Sequence, residues 1–445
     1  MGDGRLGRRE FLRLAAGGAA CAAAVAAGAG CSSGGPGKAR AEAESKPGPT
    51  GRRQLRIAQV GHFVPGYDAW FDNEYTPAWG ERNNIEVIVD HIPVGELPAR
   101  AAAEATSRKG HDLFAFLTPS AAFEDDVVDL SDVVQEIQAK VGKPSRLAER
   151  SGYNPKTNKW YGVPEYWSAE LVNYRTDFWA GLGTGGRPDT WADLLAAGPK
   201  LKAAGHPIGL DMSSDLDGNL NLLALMFAHG AFLQTEDATP ALDRPATVAA
   251  VKAGAALWST SQPPETLSWN DASANNRHLA GGRGSLILNP ISALRAVEKQ
   301  DAALARNIGL APVLAGPGGR LSPTGTQSTY VIWNFAENQD GAKRFLVDLI
   351  LSYRDAFLHS EFYNYPAFPG SVPDLADLVA KAPAEPAGKY AVLAQGPDWS
   401  TNVGHPGSTN AAVDDVYNQN LIPKMFGVAA RGEMTAEQAV AATAA

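Results

Sequence analysis

Aromatic side chains gather near the expected strand and loop ends of this chain: Phe63, Tyr67, Trp70, Tyr166, Trp167, Trp269, Tyr365 and Trp399. Ring faces cover the C–H surfaces of sugars, while neighbouring Asp, Asn, Gln and Ser groups pair with hydroxyls and set orientation. Each ring alone suits a hydrophobic core equally well, so the informative feature is the group. Bond-making chemistry finds less support. The eight histidines are dispersed, without His-x-x-x-His or paired cysteines at metal-ligand spacing, so no zinc site and no cofactor is expected. A Gly-x-Ser-x-Gly elbow is missing, and Gly316-Pro-Gly-Gly319 is a turn cluster that no Gly-Lys-Ser/Thr follows. Asp215-Leu-Asp217-Gly218-Asn219 resembles part of a calcium loop but lacks the alternating ligands and terminal glutamate, and reads as a helix-capping or ligand-contacting loop. Paired carboxylates for glycoside hydrolysis stay open, because they need not be close in the chain.

Such side chains need a scaffold. Leu55 to Val60 and Ile85 to Val89 read as strands, and Asp112 to Leu117 as a third. Between them lie a helical stretch from Tyr67 to Asn83, expected to break near Pro77, and a helix over Ala101 to Arg108 with Pro98 in its first turn and Gly110 beyond its end. Strand and helix in alternation imply right-handed crossovers and a parallel sheet covered on both faces, with ligands beyond the carboxyl ends of the strands. Those ends are Gly61-His62-Phe63 and Thr118-Pro119-Ser120. Thr190 to Asp193 predicts a capping box for a helix that runs to Lys202 and stops at Gly205, with a strand over Pro207 to Leu210. A helix after Asn338 buries Phe345, Leu346, Leu349 and Ile350, and Thr435 with Gln438 caps a final one. The fold class is α/β.

The amino terminus carries an address. Gly7-Arg8-Arg9-Glu10-Phe11-Leu12-Arg13 matches the twin-arginine export pattern. The Ala/Gly-rich stretch behind it is short and weakly apolar for a membrane span of roughly 20 residues. Small residues before Cys31 and Ser-Ser-Gly-Gly after it resemble a bacterial lipobox, although Gly28 stands where leucine is usual. Residues 1–30 are therefore expected to be a cleaved signal, Cys31 a lipidated first residue, and residues 31–53 a flexible tether poor in large apolar side chains. That places the protein on the outer face of the cell membrane or in the periplasm, touching the membrane through its anchor only. Cys21 leaves with the signal, so no disulfide and no catalytic cysteine remains. The formal charge of −9 becomes more negative once the arginine-rich signal is removed, which disfavours nucleic acid as a partner.

Several segments together carry a family likeness. Tyr161-Gly-Val-Pro164, Leu171-Val-Asn-Tyr-Arg-Thr-Asp-Phe178, Gly181-Leu182 and Pro188-Asp-Thr-Trp-Ala-Asp-Leu194 stand in the order seen in family 1 extracellular solute-binding proteins. Leu279 to Asn289, Ile308 to Pro312, Glu337 to Phe345, Asn364 to Pro369 and Met434 to Ala439 continue it, so the chain resembles the maltose-binding-protein-like components of ABC importers. The resemblance implies a periplasmic-binding-protein type II fold: two αβ lobes joined by crossovers near Tyr166 to Leu171, Ser322 to Gln327 and Leu351 to Pro369. Lobe 1 would hold residues 54–165 and 322–355, and lobe 2 residues 166–321 and 356–445. It implies a monomer without catalytic activity that captures a polar solute, most readily a sugar or oligosaccharide, closes about its hinge and delivers the solute to permease subunits. The alternatives are an exported carbohydrate-active enzyme, or a binding protein for a non-sugar solute or a sensor kinase. Expected ligand contacts are Phe63, Tyr67, Trp70, Thr118, Ser120, Trp167, Asp217, Asn289, Gln327 and Trp399. Ser168 falls where relatives often present a carboxylate, a task the resemblance passes to Glu165 and Trp167. Ile291-Ser292 replaces a stacking tryptophan after Asn289-Pro290, which argues against a standard maltodextrin site.

Overall fold

Eleven strands matter for the site: β1 Arg53–Val60, β2 Ile85–Ile92, β3 Leu113–Phe116, β4 Val163–Trp167, β5 Leu171–Arg175, β6 Leu286–Asn289, β7 Ile308–Ala311, β8 Ser322–Pro323, β9 Gln327–Ile332, β10 Tyr365–Pro366 and β11 Ser400–Thr401. They belong to a computed structural model that describes residues 51–117, 120–182, 186–325 and 327–445. The expected signal, the lipid site Cys31, the tether up to residue 50 and the candidate contact Thr118 lie outside the described residues.

A six-stranded sheet runs in the order β10-β4-β9-β3-β1-β2. β1 pairs in parallel with β2 and β3, as the alternating elements imply. The wholly parallel expectation fails at the next strand. β9 comes from far along the chain and enters antiparallel between β3 and β4, so the sheet is mixed. The crossovers force this, because a chain returning from the other lobe re-enters against the direction of β4.

A three-stranded sheet, β6-β5-β7, is wholly antiparallel. Alternation along β5 turns Leu171 into one hydrophobic cluster and Val172 into the other. The first cluster surrounds the six-stranded sheet and contains Ile57, Trp79, Phe114 and Phe345. The second contains Trp191, Leu223, Phe227 and Phe426.

The helices that position the site are α1 Leu97–Ser107, α2 Trp191–Ala203, α3 Leu216–Ala228, α4 Gln339–Leu351, α5 Ala411–Asn418 and α6 Ala436–Ala444. Thr190 and Asp193 form the expected reciprocal box on α2, and Thr435 with Gln438 does so on α6. α1 begins at Leu97 with Pro98 in its first turn and ends at Arg108, which is left-handed at φ 55°. α4 is capped by Asn338 and buries the four apolar residues expected of it.

Two expectations are corrected. The helix before β2 does not break at Pro77 but widens into a π-helical segment over Phe71–Tyr75, just ahead of it. Proline has no N–H for the carbonyl one turn back, and a wider turn absorbs the mismatch. The expected strand over Pro207 to Leu210 reduces to one bridge, Ile208 with Leu286. Further along, β10 hydrogen-bonds to β4 in the six-stranded sheet, so the chain stays with that sheet through Pro366, inside the range assigned to lobe 2.

Candidate functional site

Two crossovers lie side by side and supply the floor of the site. β4 runs into β5 through Ser168-Ala169-Glu170, and β8 runs into β9 through Thr324 and Gly325. Gln327 pairs with Trp167, and the Gly325 N–H donates to the Ser168 carbonyl at 2.9 Å. A Cβ on Gly325 would stand 2.4 Å from the Pro290 ring, 2.6 Å from Glu170 Oε1 and 2.8 Å from Ser168 Oγ, so glycine is required for this approach. Trp399 staples the pair: its indole N–H donates to the Glu170 carbonyl at 2.9 Å, and its own carbonyl accepts from the Ser322 N–H at 2.9 Å.

Above this floor the structure leaves a small cavity of about 20 Å³, room for about one water. Leu117, Ser151 and Thr329 line it from the six-stranded-sheet side, Thr324, Gly325 and Gln327 from the crossovers, and Leu220, Val403, Thr409 and Tyr417 from the other side. Glu170 does not line this space but stands next to Gly325, which does. Its carboxyl is 2% exposed, Oε2 has no hydrogen-bond partner, and burial alone pushes its pKa up to about 8. Gln327 Nε2, Trp167 Nε1 and Ser120 Oγ are likewise buried without partners.

Beside Glu170 lies the start of α3. Asp215 caps the helix by accepting the Gly218 N–H at 2.8 Å, and Asp217 accepts from Asn275 Nδ2 at 2.7 Å. Asp211 bonds Ser213, and burial with the Asp215 charge pushes its pKa up to about 7. Asp217 is raised well above the usual carboxylate range by burial and then by the charges of Glu170, Asp215 and Asp211. Tyr417 feels the charges of Asp217, Asp215 and Glu170, which ties the acidic group to the cavity that Tyr417 lines.

Of the expected contacts, Gln327 lines the cavity, and Ser120 and Trp167 carry unpartnered groups in its neighbourhood. Trp167 is also stacked on Tyr365 at 4.5 Å. Phe63 is half-buried and packs against both hydrophobic clusters. Asp217 belongs to the acidic group, and Asn289 ends β6 with its amide donating to Asn276 Oδ1 at 2.6 Å. Tyr67, Trp70 and Trp399 are placed in the framework. The Tyr67 hydroxyl donates to Glu165 at 2.6 Å, and Trp70 stacks on His359 at 5.3 Å. Glu165 is turned into the same core, bonded also by Ser328 at 2.8 Å, so the carboxyl at the crossover is Glu170. Sequence reasoning passed over Glu170 and Tyr417. A glutamate between Ala169 and Leu171, inside an expected crossover, was the signal available for the first; Tyr417 offered none. Among the described residues no three His, Cys, Asp or Glu side chains converge as metal ligands, and the Asp215–Asn219 segment serves as a helix start.

The family model for bacterial extracellular solute-binding protein matches residues 64–352. A Deinococcus radiodurans protein named "Probable ABC transporter-binding protein" is 25% identical over 260 residues, which are 56% of this chain and 60% of that protein. The chain thus spans 60% of that relative's length. A maltose-bound protein of T. maritima superposes with a TM-score of 0.72 at 19% identity, over 88% of this chain and 98% of its own. A sugar transporter of Arthrobacter chlorophenolicus with bound laminaribiose gives 0.72 at 16% identity, over 88% and 97%. These likenesses establish the two-lobed α/β binding-protein fold.

Proposed function

This chain belongs to the bacterial extracellular solute-binding protein family, and we propose that its solute is a sugar or oligosaccharide, captured in the cleft and delivered to the permease subunits of an ABC importer. The observation that carries this reading is the buried Glu170 carboxyl and Gln327 amide, one from each crossover, left without internal partners beside a cavity walled from both sides. A buried polar group without a partner costs on the order of 1–3 kcal/mol, and a hydroxyl-rich ligand supplies the missing partners. Crystal structures of the same fold hold maltose and laminaribiose, which supports the ligand class. A ligand touching both crossovers favours the closed arrangement of the lobes, and closure is the signal a permease reads. Export by the twin-arginine route, anchoring through Cys31 on the outer face of the membrane and a monomeric state complete the proposal.

Titration calorimetry of the full chain against neutral mono- and disaccharides, polyols and sugar acids tests it. Binding should be tight for at least one sugar, and Glu170→Gln and Gln327→Ala should each weaken it about tenfold or more. Unchanged affinity in both variants would remove the crossovers from the site. For the anchor, Cys31→Ser should release folded protein from membranes with ligand affinity intact, as fractionation followed by calorimetry would read.

A further inference from the structure

β1 and β2 run side by side and end together, with Gln59 opposite His91. The His91 side chain, 28% exposed, reaches the short helix Pro65–Trp70 and the π-helical segment behind it. Its Nε2 stands 2.8 Å from Asp72 Oδ2, and its Nδ1 faces the Val60 carbonyl at 3.4 Å and Asp68 Oδ1 at 3.9 Å. Carboxylate and carbonyl oxygens only accept, and a neutral imidazole has one N–H to give, so only the imidazolium serves both sides of the ring. Asp68 in turn accepts the His62 N–H at 2.7 Å on its other oxygen. His62 makes the contrast. Its Nδ1 accepts the Val64 N–H at 2.9 Å and its Nε2 meets Asn364 Oδ1 at 2.8 Å, an arrangement that a neutral ring satisfies. Residues 61–63 are thus tied to β2 through Asp68 and His91, and to the third crossover through Asn364. Phe63, at their end, packs against both hydrophobic clusters. Asp90, beside His91 in β2, turns to the other face of the sheet, 2.8 Å from His111 and 3.6 Å from Arg56. His359 meets the same short helix through Trp70, at 5.3 Å.

We infer that His91 is a pH-sensitive pin: charged, it holds residues 61–63 to β2 and the short helix; uncharged, it lets go of one side, so the end of β1 loosens and the closed arrangement of the lobes weakens as the surrounding pH rises. The charges that reach the ring are those of Asp68 and Asp72, one helical turn apart. Burial pulls the His91 pKa down, but the Asp72 bond and the Asp68 and Asp72 charges outweigh it, and the net shift is upward from 6.5. A histidine held above its unfolded value contributes stability fully below that value and loses it as pH rises through the folded one. His62, held down to about 4 by burial, stays neutral across the same range, so only one of the two histidines beside this loop switches. An extracellular binding protein meets the pH of its medium directly, and Phe63 carries the change to the second cluster.

The test uses the ligand-free full chain, so its outcome is independent of the sugar reading. The ring carbon–proton signals of histidine-labelled protein are followed by NMR from pH 5 to 9, with His91 assigned through His91→Gln. The expected midpoint for His91 lies above 6.5, and Asp72→Asn should lower it. Hydrogen exchange over residues 60–64 is then measured by mass spectrometry at pH 6 and 8.5, each rate normalised to that of the unfolded chain. Protection in the wild type should fall about fivefold between the two, as expected for the loss of one hydrogen bond, and should change less than about twofold in His91→Gln. The radius of gyration from small-angle scattering should grow over the same step in the wild type only. Glu165, Glu170, Asp211 and Asp414 titrate in or near this window and are present in both proteins, so the comparison cancels them. If His91→Gln melts early, Asp72→Asn gives the same reading, its fall in protection coming at lower pH than in the wild type. A His91 midpoint at or below 6.5, or an equal loss of protection with and without His91, overturns the inference.

Discussion

Glu165 and Glu170 are five residues apart, and the fold gives them opposite tasks. Glu165 is held by the Tyr67 and Ser328 hydroxyls and knits β4 to its own core. Glu170 is equally buried and has no such partners, so its pKa is pushed up to about 8 against an ordinary 4.5. A carboxyl whose folded pKa lies above its unfolded value keeps its proton in the fold where the unfolded chain loses it. Its contribution to stability is full below about pH 4.5 and is lost as pH rises through about 8, with about 1.4 kcal/mol at stake per pH unit of displacement. Glu170→Gln should therefore melt near the wild-type temperature at pH 5 and clearly above it at pH 8.5 in ligand-free protein. Comparing variant with wild type cancels the opposing buried histidines, His62 and His405, both held down to about 4. A constant difference across that range would mean that Glu170 stays ionised in the fold. Trp167 offers a second test, because its ring packs on Tyr365 while its N–H is idle. Trp167→Ala should cost roughly 3–5 kcal/mol of stability, as loss of a buried aromatic does. Trp167→Phe keeps the stack and should cost less than about 1.5 kcal/mol, yet weaken ligand binding several-fold if the idle N–H serves the solute. Melting curves and calorimetry of the two variants separate packing from recognition.

Elements were legible in the sequence wherever their signals are local. The capping boxes at Thr190 and Thr435, the Asn338 cap and the apolar face of α4 each rest on residues within a turn or two of one another, and each is present. The mixed character of the large sheet was not legible, because β9 joins β3 and β4 across more than 150 residues, and pairing over such distances leaves no periodic trace. The cavity suffers the same difficulty more sharply. Its lining comes from Leu117 to Tyr417, and of the expected contacts that fall among the described residues only Gln327 lines it directly. Tyr67, Trp70 and Trp399 look like ligand platforms in a string of letters, but large rings near strand ends also fill cores. The crossovers themselves were legible at Tyr166–Leu171 and Ser322–Gln327, and Gly325 is their narrowest point. Gly325→Ala places a methyl against the Pro290 ring and Glu170, so it should cost about 1–3 kcal/mol by overpacking and weaken ligand binding more than stability. A variant with wild-type affinity would show that the two strands can part there without disturbing the site.

At the scale of the whole molecule, the segments flanking the cavity are tied to each other away from the crossovers. The Ala122 N–H donates to Asp414 Oδ2 at 2.7 Å, and the Thr409 N–H to the Arg150 carbonyl at 2.8 Å. Glu236 pairs with Arg150 at 2.9 Å and Arg146 at 3.2 Å. Ala121, Leu147 and Ala148 belong to the first hydrophobic cluster, and Leu233 and Val413 to the second, so each tie joins one cluster's surroundings to the other's. The exposed Glu236 pair contributes little by itself, whereas the bond to the buried Asp414 carboxyl, whose pKa burial pushes up to about 8, is worth about 0.5–1.5 kcal/mol as a neutral hydrogen bond. A ligand shifts an open-to-closed equilibrium only by its differential affinity for the two states, so ties present in the closed state alone lower what the ligand must supply. Asp414→Ala deletes the buried acceptor without touching the cavity lining. Small-angle scattering of the ligand-free variant should give a larger radius of gyration than wild type, and saturating ligand should restore the compact value. Affinity should fall several-fold, in line with one neutral buried hydrogen bond of about 1 kcal/mol. An unchanged radius with unchanged affinity would leave closure resting on the crossovers and the ligand alone.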